Sequence, residues 1–582
     1  MLTKFLKFYG EKFSKFLQED GWLVLLLITL NLTPLIQKIF LLFTDEVTDI
    51  EQIKFPFLDQ LITNYFGATV ILLFCVLMYC CLSNFPRTKF FLQILILIGF
   101  SVSFVVDLFV IYSYKITLIM HFIEVLLATN LNEAKEFLKF YVFKPEIFFL
   151  LTAFILMIVA AVKKLRRIFQ NMSEENLKRF SYYTLIILLP AAFGLCSIVG
   201  NAVYTSSYLG TILVRNIRNT YIATQIAGSE PEIWATMDSQ NEKIISDDSK
   251  IPYVVFILGE SATRNHMQIY GYNLETTPFA VERYKRGELF KFNDVIACAN
   301  ATSTAMKLLF NFTEKEVELE NWYKTPNIFD IARRAGYHTG WISNQSPIGW
   351  YGNIDKIYSE RCDEKYFADV DFDKVEEKDK LFSRNFDIVL LPAIEDFISH
   401  SQEKNFYCVH LYGSHVEYRE RYPAEFAKFT AADENKISDE SKKITAEYDN
   451  SILYTDFILN EIFKRFEDKN ALIIYISDHG QEVYEGGKNN AGTTPEEDES
   501  RSMIEIPMLV WTSQKFREMY PEKISALKNA ENNPYRTDLL IHTILDLMDI
   551  QTESFNPTKS IVNEKFDKFR IRIYNNKPYI RD

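Results

Sequence analysis

The stretch ALIIYISDHG, residues 471–480, indicates how the soluble half of the chain folds. Its first six residues are apolar or aromatic and rich in Ile, which predicts a buried strand. The strand leads into Asp478 and His479, followed by Gly480. A carboxylate and an imidazole at the end of a central strand lie where an α/β sheet presents metal ligands or catalytic groups. A solvated turn would explain the same pair, so other stretches have to decide.

Two further stretches favour a metal site. YVVFILGESAT, residues 253–263, is a second apolar strand that leads into Glu260, and NATSTA, residues 300–305, opens a predicted helix. A carboxylate, a hydroxyl and an Asp-His pair, each at a strand or helix end, fit one Zn²⁺ held by oxygen and nitrogen. The predicted ligands are Glu260, Thr304, Asp478 and His479.

The hydroxyl groups of NATSTA have two interpretations. One of them could simply be the N-cap of the helix. Alternatively, a hydroxyl at a helix N-terminus lies where backbone N–H groups and the helix dipole favour a phosphate. Threonine is a weak nucleophile until its pKa falls, and a coordinated Zn²⁺ lowers that pKa and polarises a phosphoryl oxygen. On the second interpretation Thr304 is the predicted nucleophile.

Composition divides the chain in two. Residues up to about 205 are dominated by long apolar runs, whereas the remainder alternates charged and apolar residues like a soluble enzyme. The formal net charge of -13 argues against a nucleic-acid partner, which needs a basic surface. The soluble part contains Cys298, Cys362 and Cys408, without a short-spaced pair. They argue against a disulfide framework but leave room for one bridge.

The apolar half, residues 1–205, is a predicted α-helical transmembrane domain. A span needs roughly 20 mostly apolar residues. Five stretches qualify, at about residues 22–43, 62–84, 90–113, 146–163 and 182–203. Basic residues cluster at 85–89 and 163–179, and the positive-inside rule makes these loops cytoplasmic. Everything after about residue 205 is then predicted to lie outside, in the periplasm if the cell is Gram-negative.

The soluble half, residues 250–582, has the pattern of an α/β domain. It follows an interfacial helix and an acidic linker at 206–249. Strands are predicted near 252–258, 338–343, 405–411, 471–477 and 505–511, and helices near 304–312, 326–335, 385–400, 438–467 and 535–548. Strands that alternate with helices predict a mainly parallel sheet covered on both faces.

Two histidines lie at the end of another predicted strand. His410 and His415 belong to NFYCVHLYGSHVEY, residues 405–418, with Gly and Ser between them. A structural role and a role as ligand or general acid are equally compatible with this pattern. The remaining histidines of the soluble half show no clustering in the sequence.

Several motifs occur in one order along the chain: GESATRNHMQIYGYNLETTP from Gly259, the TSTA turn, WISNQ at 341–345, HLYGSH at 410–415, YDNSILYTDFI at 448–458 and YISDHG at 475–480. Together they resemble the membrane phosphoethanolamine transferases of Gram-negative envelopes, whose catalytic domain has the alkaline phosphatase/sulfatase fold. The resemblance runs from the first span nearly to the end of the chain. Any one motif would be weak, but the set is specific.

The resemblance implies a multi-pass protein of the bacterial inner membrane with a periplasmic catalytic domain. Thr304 would take phosphoethanolamine from phosphatidylethanolamine at a zinc site and pass it to lipid A or the lipopolysaccharide core. The residues expected to act on or bind substrate are His410, His415, Thr129, Glu133 and Asn344. We expect the protein to be a monomer.

Two positions depart from the family pattern. Gly492 is followed by Thr493 where family members commonly carry Gly-His, so a second zinc is expected to bind more weakly. Asn300 and Phe310 occupy the positions of cysteines that bracket the nucleophile helix in many relatives. Packing alone is then expected to hold that helix.

Other functions fit parts of the pattern. A phosphoglycerol transferase of the lipoteichoic-acid-synthase type would have the same fold and threonine chemistry. A non-catalytic envelope scaffold is the alternative from another class, and the retention of all four predicted ligands argues against it. Sulfatase activity is disfavoured, because Thr304 is followed by Ala-Met-Lys-Leu rather than by a Cys/Ser-x-Pro-x-Arg element. The acceptor stays open among lipid A, a core sugar, a periplasmic glucan and a protein.

Overall fold

The computed structural model of the chain describes residues 2–43, 50–114, 118, 123, 145–180, 211–227, 233, 236–237, 242–316, 319–345, 354–368, 386–436, 438–485, 491–492, 500–574 and 577–581. The chain divides into two compact units, which are residues 1–124 with 132–225, and residues 125–131 with 226–582. The first unit therefore includes almost all of the helix that the sequence assigns to the linker.

Helices dominate the first unit and flank the strands of the second. The α-helices are α1 Leu2–Leu30, α2 Thr33–Phe43, α3 Ile50–Leu82, α4 Pro86–Tyr114, α5 Pro145–Gln170, α6 Ile212–Ala227, α7 Pro278–Lys285, α8 Thr302–Leu309, α9 Ile328–Arg334, α10 Ile354–Ser359, α11 Leu390–Ser399, α12 Asp439–Phe466, α13 Arg501–Ile504, α14 Gln514–Met519, α15 Pro521–Ala530 and α16 Leu540–Leu547.

The strands are β1 Ile244–Asp247, β2 Tyr253–Gly259, β3 Leu289–Lys291, β4 Val295–Ile296, β5 His338–Ser343, β6 Glu364–Phe367, β7 Asn405–His410, β8 Ala471–Ser477, β9 Glu482–Val483, β10 Ala491–Gly492, β11 Met508–Thr512, β12 Tyr535–Arg536, β13 Ile550–Thr552, β14 Ile573–Tyr574 and β15 Lys577–Pro578.

The first unit contains long apolar helices. Within the described residues, 4 segments are long and apolar enough to cross a membrane: Lys12–Ile39, Thr63–Leu82, Pro86–Ile111 and Phe148–Gln170. They match the first four predicted spans. The fifth predicted span, 182–203, lies outside the described residues, so the count of five stays a prediction.

A buried ion pair connects helix α6 to these apolar helices. Both carboxylate oxygens of Asp107 accept from the Arg215 guanidinium at 2.5 Å, and Thr33 Oγ1 donates to the same carboxylate at 2.6 Å. A charge buried among apolar helices is costly unless it is paired, so removing either partner would leave the other charge uncompensated. The pair therefore fixes α6 against the apolar helices of its own unit.

The second unit is built on a seven-stranded sheet in the order β3-β11-β8-β2-β7-β5-β6. Strands β8, β2, β7, β5 and β6 run parallel, whereas β11 is antiparallel to both of its neighbours. This confirms the predicted mainly parallel sheet. Strands β3 and β6, of three and four residues, were not predicted because they are too short to show a periodic pattern.

The apolar strands are continuous because both faces of the sheet are covered. Along β2, Phe256 and Leu258 face one core, while Val255 and Ile257 face the other, and all four are fully buried. Such a sheet can present polar groups only beyond the ends of its strands. The polar groups that follow β2 and β8 are therefore the first place to look for chemistry.

Packing holds the helix α8 without a disulfide. Phe310, the residue after α8, is fully buried, and its ring centroid lies 4.9–6.1 Å from those of Phe256, Phe329, Trp341 and Tyr358. Each aromatic pair contributes about 0.5–1.5 kcal/mol, so four pairs match the 2–4 kcal/mol typical of a disulfide. Cys298, Cys362 and Cys408 are all free thiols, so the one bridge that the sequence left open is not formed.

Candidate metal and nucleophile site

The site begins where two central strands end side by side. Strands β2 and β8 are parallel, with Gly259 opposite Ser477. The backbone N–H of Asp478 donates to the carbonyl of Gly259 at 3.1 Å. Glu260 and Asp478 therefore emerge next to each other at the carboxyl edge of the sheet, as the sequence predicts for an α/β site.

Helix α8 brings a hydroxyl to these carboxylates, and the hydroxyl belongs to Thr302. Thr302 Oγ1 donates to Glu260 Oε2 at 2.9 Å and lies 3.4 Å from His479 Nε2. Ala301 is the N-cap and makes no side-chain capping bond, so the Thr302 hydroxyl is not used to cap the helix.

The nucleophile predicted from the sequence is Thr304, and its role stays a prediction. The sequence placed the start of the helix near residue 304, but α8 begins at Thr302. Two residues along an α-helix correspond to a rotation of about 200°, so Thr302 and Thr304 leave the helix in different directions. Of the two, Thr302 makes the hydrogen bond to Glu260 among the described contacts.

Three buried side chains form a group that could hold a metal ion. One ligand atom from each of Glu260, Asp478 and His479 lies within 4.8 Å of the others. His479 Nε2 is 3.3 Å from Glu260 Oε1 and 3.4 Å from Asp478 Oδ2. None of the three side chains is more than 5% exposed.

The hydrogen bonds of this group leave metal-binding atoms available. His479 Nδ1 lies 2.7 Å from the carbonyl of Gly480, so Nδ1 carries a proton, and Nε2 is the nitrogen that would bind a cation in place of its own proton. Asp478 Oδ1 accepts from the backbone of Ser261 and His479, but the buried Asp478 Oδ2 has no hydrogen-bond partner among the described residues. An orphaned carboxylate oxygen beside a free imidazole nitrogen fits a bound cation.

The pKa shifts of the three side chains also favour a bound cation. Burial and the neighbouring Glu260 raise the pKa of Asp478 to about 7. Burial would also raise the pKa of Glu260, but His479 and His415 hold that pKa below its usual range. Burial would lower the pKa of His479, yet Asp478 and Glu260 raise it to about 9. Two buried carboxylates thus compete for positive charge, which a divalent cation would supply.

The backbone around the site is unusual in two places. Ser261 adopts φ 57°, a left-handed conformation that is uncommon for a residue with a side chain, and this turn directs its N–H to Asp478 Oδ1 at 3.1 Å. A Cβ at Gly480 would lie 2.0 Å from the carbonyl oxygen of Ser502, so only glycine fits after His479.

Gln345 touches the group and was not predicted. Its Nε2 donates to Glu260 Oε2 at 3.2 Å and to the carbonyl of Leu411 at 3.3 Å. Gln345 therefore links the carboxylate to the loop after β7. The only signal in the sequence was its position next to Asn344 in WISNQ.

Asn344 itself has a different contact from the one predicted. Its Nδ2 donates to Asp387 Oδ1 at 2.9 Å, and the Asp387 carboxylate also accepts from the backbone N–H groups of Tyr412 and Gly413. Asn344 is 4% exposed. Asn344 thus helps to hold the loop after β7, while its Oδ1 is buried without a hydrogen-bond partner among the described residues, so the predicted substrate contact stays a prediction.

The loop after β7 packs directly on Glu260. The backbone N–H of Ser414 donates to the carbonyl of Glu260 at 3.0 Å, and a Cβ at Gly413, which has φ 53°, would lie 2.8 Å from that carbonyl. His415 follows this turn. Its Nδ1 is buried without a hydrogen-bond partner among the described residues, so the imidazole is available for a substrate or a proton.

His410 lies outside this group of contacts. It is fully buried on β7, and its Nδ1 pairs with Asp355 Oδ1 at 2.6 Å. Burial would lower the pKa of His410, but Asp355 raises it. Its Nε2 is buried without a hydrogen-bond partner among the described residues, so the catalytic role predicted for His410 stays a prediction.

A buried histidine with two carboxylate partners was not predicted, because the three residues are far apart in the sequence. His266 Nδ1 pairs with Asp449 Oδ1 at 2.5 Å, and its Nε2 pairs with Glu485 Oε1 at 2.9 Å. Burial would lower the pKa of His266, but these carboxylates raise it to about 9. The imidazolium therefore ties the loop after β9 to helix α12.

Three residues named from the sequence lie outside the described residues: Thr129, Glu133 and Thr493. The expected substrate contacts of Thr129 and Glu133, and the expected weakness of a second zinc, stay predictions.

Known proteins resemble this chain over the same region. Phosphoethanolamine transferase EptC of Escherichia coli O18:K1:H7 (strain RS218 / NMEC) is 30% identical over 320 residues, which cover 54% of this chain and 53% of EptC. The chain thus spans about half the length of the curated relatives it matches.

Solved structures agree with the fold. The C-terminal periplasmic domain of EcEptC from Escherichia coli has a TM-score of 0.51 and 28% identity, covering 57% of this chain and 91% of that domain. The integral membrane lipooligosaccharide phosphoethanolamine transferase A from Neisseria meningitidis has a TM-score of 0.58 and 19% identity, covering 92% and 97%. At that identity the second likeness shows a shared fold. Residues 252–550, just over half of the chain, match the Sulfatase family, so the chain belongs to that family.

Proposed function

We propose that this chain transfers phosphoethanolamine from phosphatidylethanolamine to lipid A or the lipopolysaccharide core, through a phosphorylated Thr302. One observation carries the proposal: Thr302 Oγ1 lies 2.9 Å from Glu260 and 3.4 Å from His479, in a group that could hold a metal ion. The names of the relatives, which are phosphoethanolamine transferases, support the choice of headgroup.

In the first half-reaction, Thr302 Oγ forms a bond to the phosphorus of the donor, and the bond from phosphorus to the glycerol oxygen breaks. The hydroxyl proton, which Thr302 directs to Glu260, passes to the glycerol oxygen so that diacylglycerol leaves neutral. The leaving group remains in the bilayer, which explains why a membrane unit belongs to this enzyme.

In the second half-reaction, a hydroxyl or phosphate oxygen of the acceptor attacks the same phosphorus, and the bond to Thr302 breaks. A proton from the acceptor returns to Thr302. His415, with its unpartnered Nδ1, is the proposed group that holds the substrate and moves this proton.

Zinc is the proposed metal. Glu260, Asp478, His479 and the Thr302 oxygen would hold it, because three oxygens and one nitrogen are an acceptable zinc set. When bound, zinc lowers the pKa of the threonine hydroxyl and polarises the phosphoryl oxygen.

The proposed location is the bacterial inner membrane, with the sulfatase-like unit in the periplasm. The basic clusters at 85–89 and 163–179 support this orientation through the positive-inside rule. A periplasmic unit would meet both the lipid donor and lipopolysaccharide precursors on the outer leaflet. We propose that the protein acts as a monomer.

Gln345 gives a test of the metal site that does not depend on turnover. Gln345→Leu removes the amide that orients Glu260, so we expect zinc affinity to fall by about 10–100-fold, the range for losing a hydrogen bond to a metal ligand. Chelator competition on the purified full chain measures this. Gln402→Leu, which changes an exposed glutamine at the other end of β7, should leave the affinity unchanged. Equal affinities in the two variants would contradict the orienting role.

The donor distinguishes the proposed function from its closest alternative. The purified chain in detergent, with zinc, should release diacylglycerol from phosphatidylethanolamine when lipid A is supplied. Phosphatidylglycerol in the same assay should give little product. Preference for phosphatidylglycerol would instead establish a phosphoglycerol transferase, and no reaction with either lipid would favour a non-catalytic scaffold.

A further inference from the structure

The ribbon near the end of the chain has its apolar residues on the outside. FRIRI, residues 569–573, alternates apolar side chains with arginine. In a half-buried strand this pattern predicts the apolar residues inside and arginine in water. The structure shows the reverse: Phe569 is 93% exposed and Ile571 is 65% exposed, whereas Arg572 is only 7% exposed.

Ion pairs fix this reversed orientation. Arg572 donates to both carboxylate oxygens of Asp294, at 2.8 and 2.9 Å. Arg570 Nη2 donates to Glu314 at 2.9 Å and to Asp538 at 3.1 Å. Since the two arginines are bonded inside the domain, the residues between and beside them must face outward.

The residues that follow β15 show the same arrangement. Tyr579 is 6% exposed, and its hydroxyl donates to Glu505 Oε1 at 2.6 Å. The next residue, Ile580, is 75% exposed. Phe569 and Ile571 before β14, and Ile580 after β15, therefore expose apolar side chains beside this pair of strands.

Cations surround these apolar side chains. Exposed Phe569, Ile571 and Ile580 are flanked by the exposed cations Lys565, Lys568, Lys577 and Arg581, and we call these seven residues the ribbon surface. Among the described residues 564–581 the exposed anions are Glu564 and Asp567, so the four exposed cations outnumber them, and Asp582 follows in the sequence of a chain with a net charge of -13. Apolar side chains with basic neighbours are the combination that binds an anionic membrane surface.

We propose that the ribbon surface docks on an anionic lipid surface. Four described segments of the chain are long and apolar enough to cross a membrane. If they do so, the second unit would be tethered beside a bilayer. Phe and Ile would enter the boundary between headgroups and acyl chains, while Lys and Arg meet the lipid phosphates. The proposal rests on membrane attachment and not on the transfer reaction, so either can fail without the other.

The position of the ribbon gives this docking a consequence for the site. Glu505, which accepts from Tyr579, also accepts through its backbone carbonyl from Arg264 N at 2.9 Å and from Thr263 Oγ1 at 3.0 Å. Thr263 follows Glu260 by three residues. Docking of the ribbon surface would therefore act on a segment that is hydrogen-bonded, through Glu505, to the loop that follows Glu260.

Photocrosslinking on the full chain tests the proposal. Phe569→p-benzoylphenylalanine should form lipid adducts in vesicles of phosphatidylethanolamine and phosphatidylglycerol, at least about threefold more than in vesicles where phosphatidylcholine replaces the anionic lipid. The control is Met519→p-benzoylphenylalanine, which is 59% exposed and lies beside Asn470, at the opposite end of β8 from the site. It should give no lipid adduct.

A second variant tests the charges separately. Lys568→Glu combined with Lys577→Glu reverses two exposed cations, so the fold should survive and the lipid adduct at position 569 should fall to the level seen without anionic lipid. Lipid adducts no more frequent at 569 than at 519 would overturn the proposal. Crosslinking of position 569 to a second copy of the chain, in place of lipid, would also overturn it.

Discussion

Thr302→Ala should abolish transfer, with a loss on the order of 10³-fold or more, because it removes the proposed attacking oxygen. The fold should survive, since Ala301 rather than Thr302 is the N-cap and the change costs less than the ~1 kcal/mol of a lost cap. Thr302→Ser should keep part of the activity, because the hydroxyl beside Glu260 is retained. Diacylglycerol release from phosphatidylethanolamine measures all three proteins.

Thr304→Ala is the matched control for this prediction. It deletes the same atoms from the same helix, two residues further along. Among the described residues, the hydrogen bonds to Glu260 and His479 come from Thr302 and not from Thr304. Its activity should stay within about twofold of the unchanged chain, which corresponds to about 0.5 kcal/mol. If Thr304→Ala were inactive and Thr302→Ala active, the assignment made from the sequence would be restored.

Asp478→Asn should remove zinc and activity together. The change keeps the size of the side chain but neutralises the carboxylate whose Oδ2 has no other partner among the described residues. The loss of zinc affinity should exceed the about 10–100-fold typical of outer-shell changes, because a direct ligand is altered. Elemental analysis after dialysis measures zinc per chain. Chelation of the unchanged protein should abolish activity, and added zinc should restore it.

Asp456→Asn controls for loss of a buried aspartate elsewhere. Asp456 is buried on α12 and accepts from the backbone N–H groups of Phe279 and Ala280 at 2.8 and 3.0 Å. This variant should lower the melting temperature through a weakened helix start but keep its zinc. If the Asp478→Asn protein retained as much zinc as the Asp456→Asn protein, the proposed ligand set would be contradicted.

The strongest features of the fold could be read from the sequence because they depend on short local patterns. β2, β5, β7 and β8 are continuous apolar runs, and each lies within one or two residues of its predicted position. Parallel strands place their carboxyl ends at one edge, so the meeting of Glu260 with Asp478 and His479 followed from the strands alone. The residues that hold a metal in the proposal are thus the most predictable part of the site.

The side chain that contacts Glu260 from α8 was less predictable, because it depends on where the helix begins. TSTA offers hydroxyls at residues 302, 303 and 304, and helix boundaries cannot be fixed from sequence to better than one or two residues. Two residues along the helix change the direction of a side chain by about 200°, so the sequence could not tell which hydroxyl contacts Glu260. The contact of Thr302 with Glu260 required the three-dimensional structure.

Contacts between residues far apart along the chain could also not be predicted from the sequence. Gln345 reaches Glu260 over 85 positions, and His266 meets Asp449 over 183, so no local pattern announces either pair. The ribbon FRIRI gave a clear pattern that the structure reverses, because Arg572 finds Asp294 inside the domain. In each case a distant polar partner decided the orientation of the side chain.

Mapping of the covalent adduct is the most direct test of the account. The full chain is incubated with phosphatidylethanolamine and zinc without acceptor, quenched in acid and digested, and the peptide that spans residues 300–307 is fragmented. The account predicts phosphoethanolamine on Thr302, present in Thr304→Ala and absent from Thr302→Ala. Phosphoethanolamine on Thr304, or full turnover in Thr302→Ala, would contradict it.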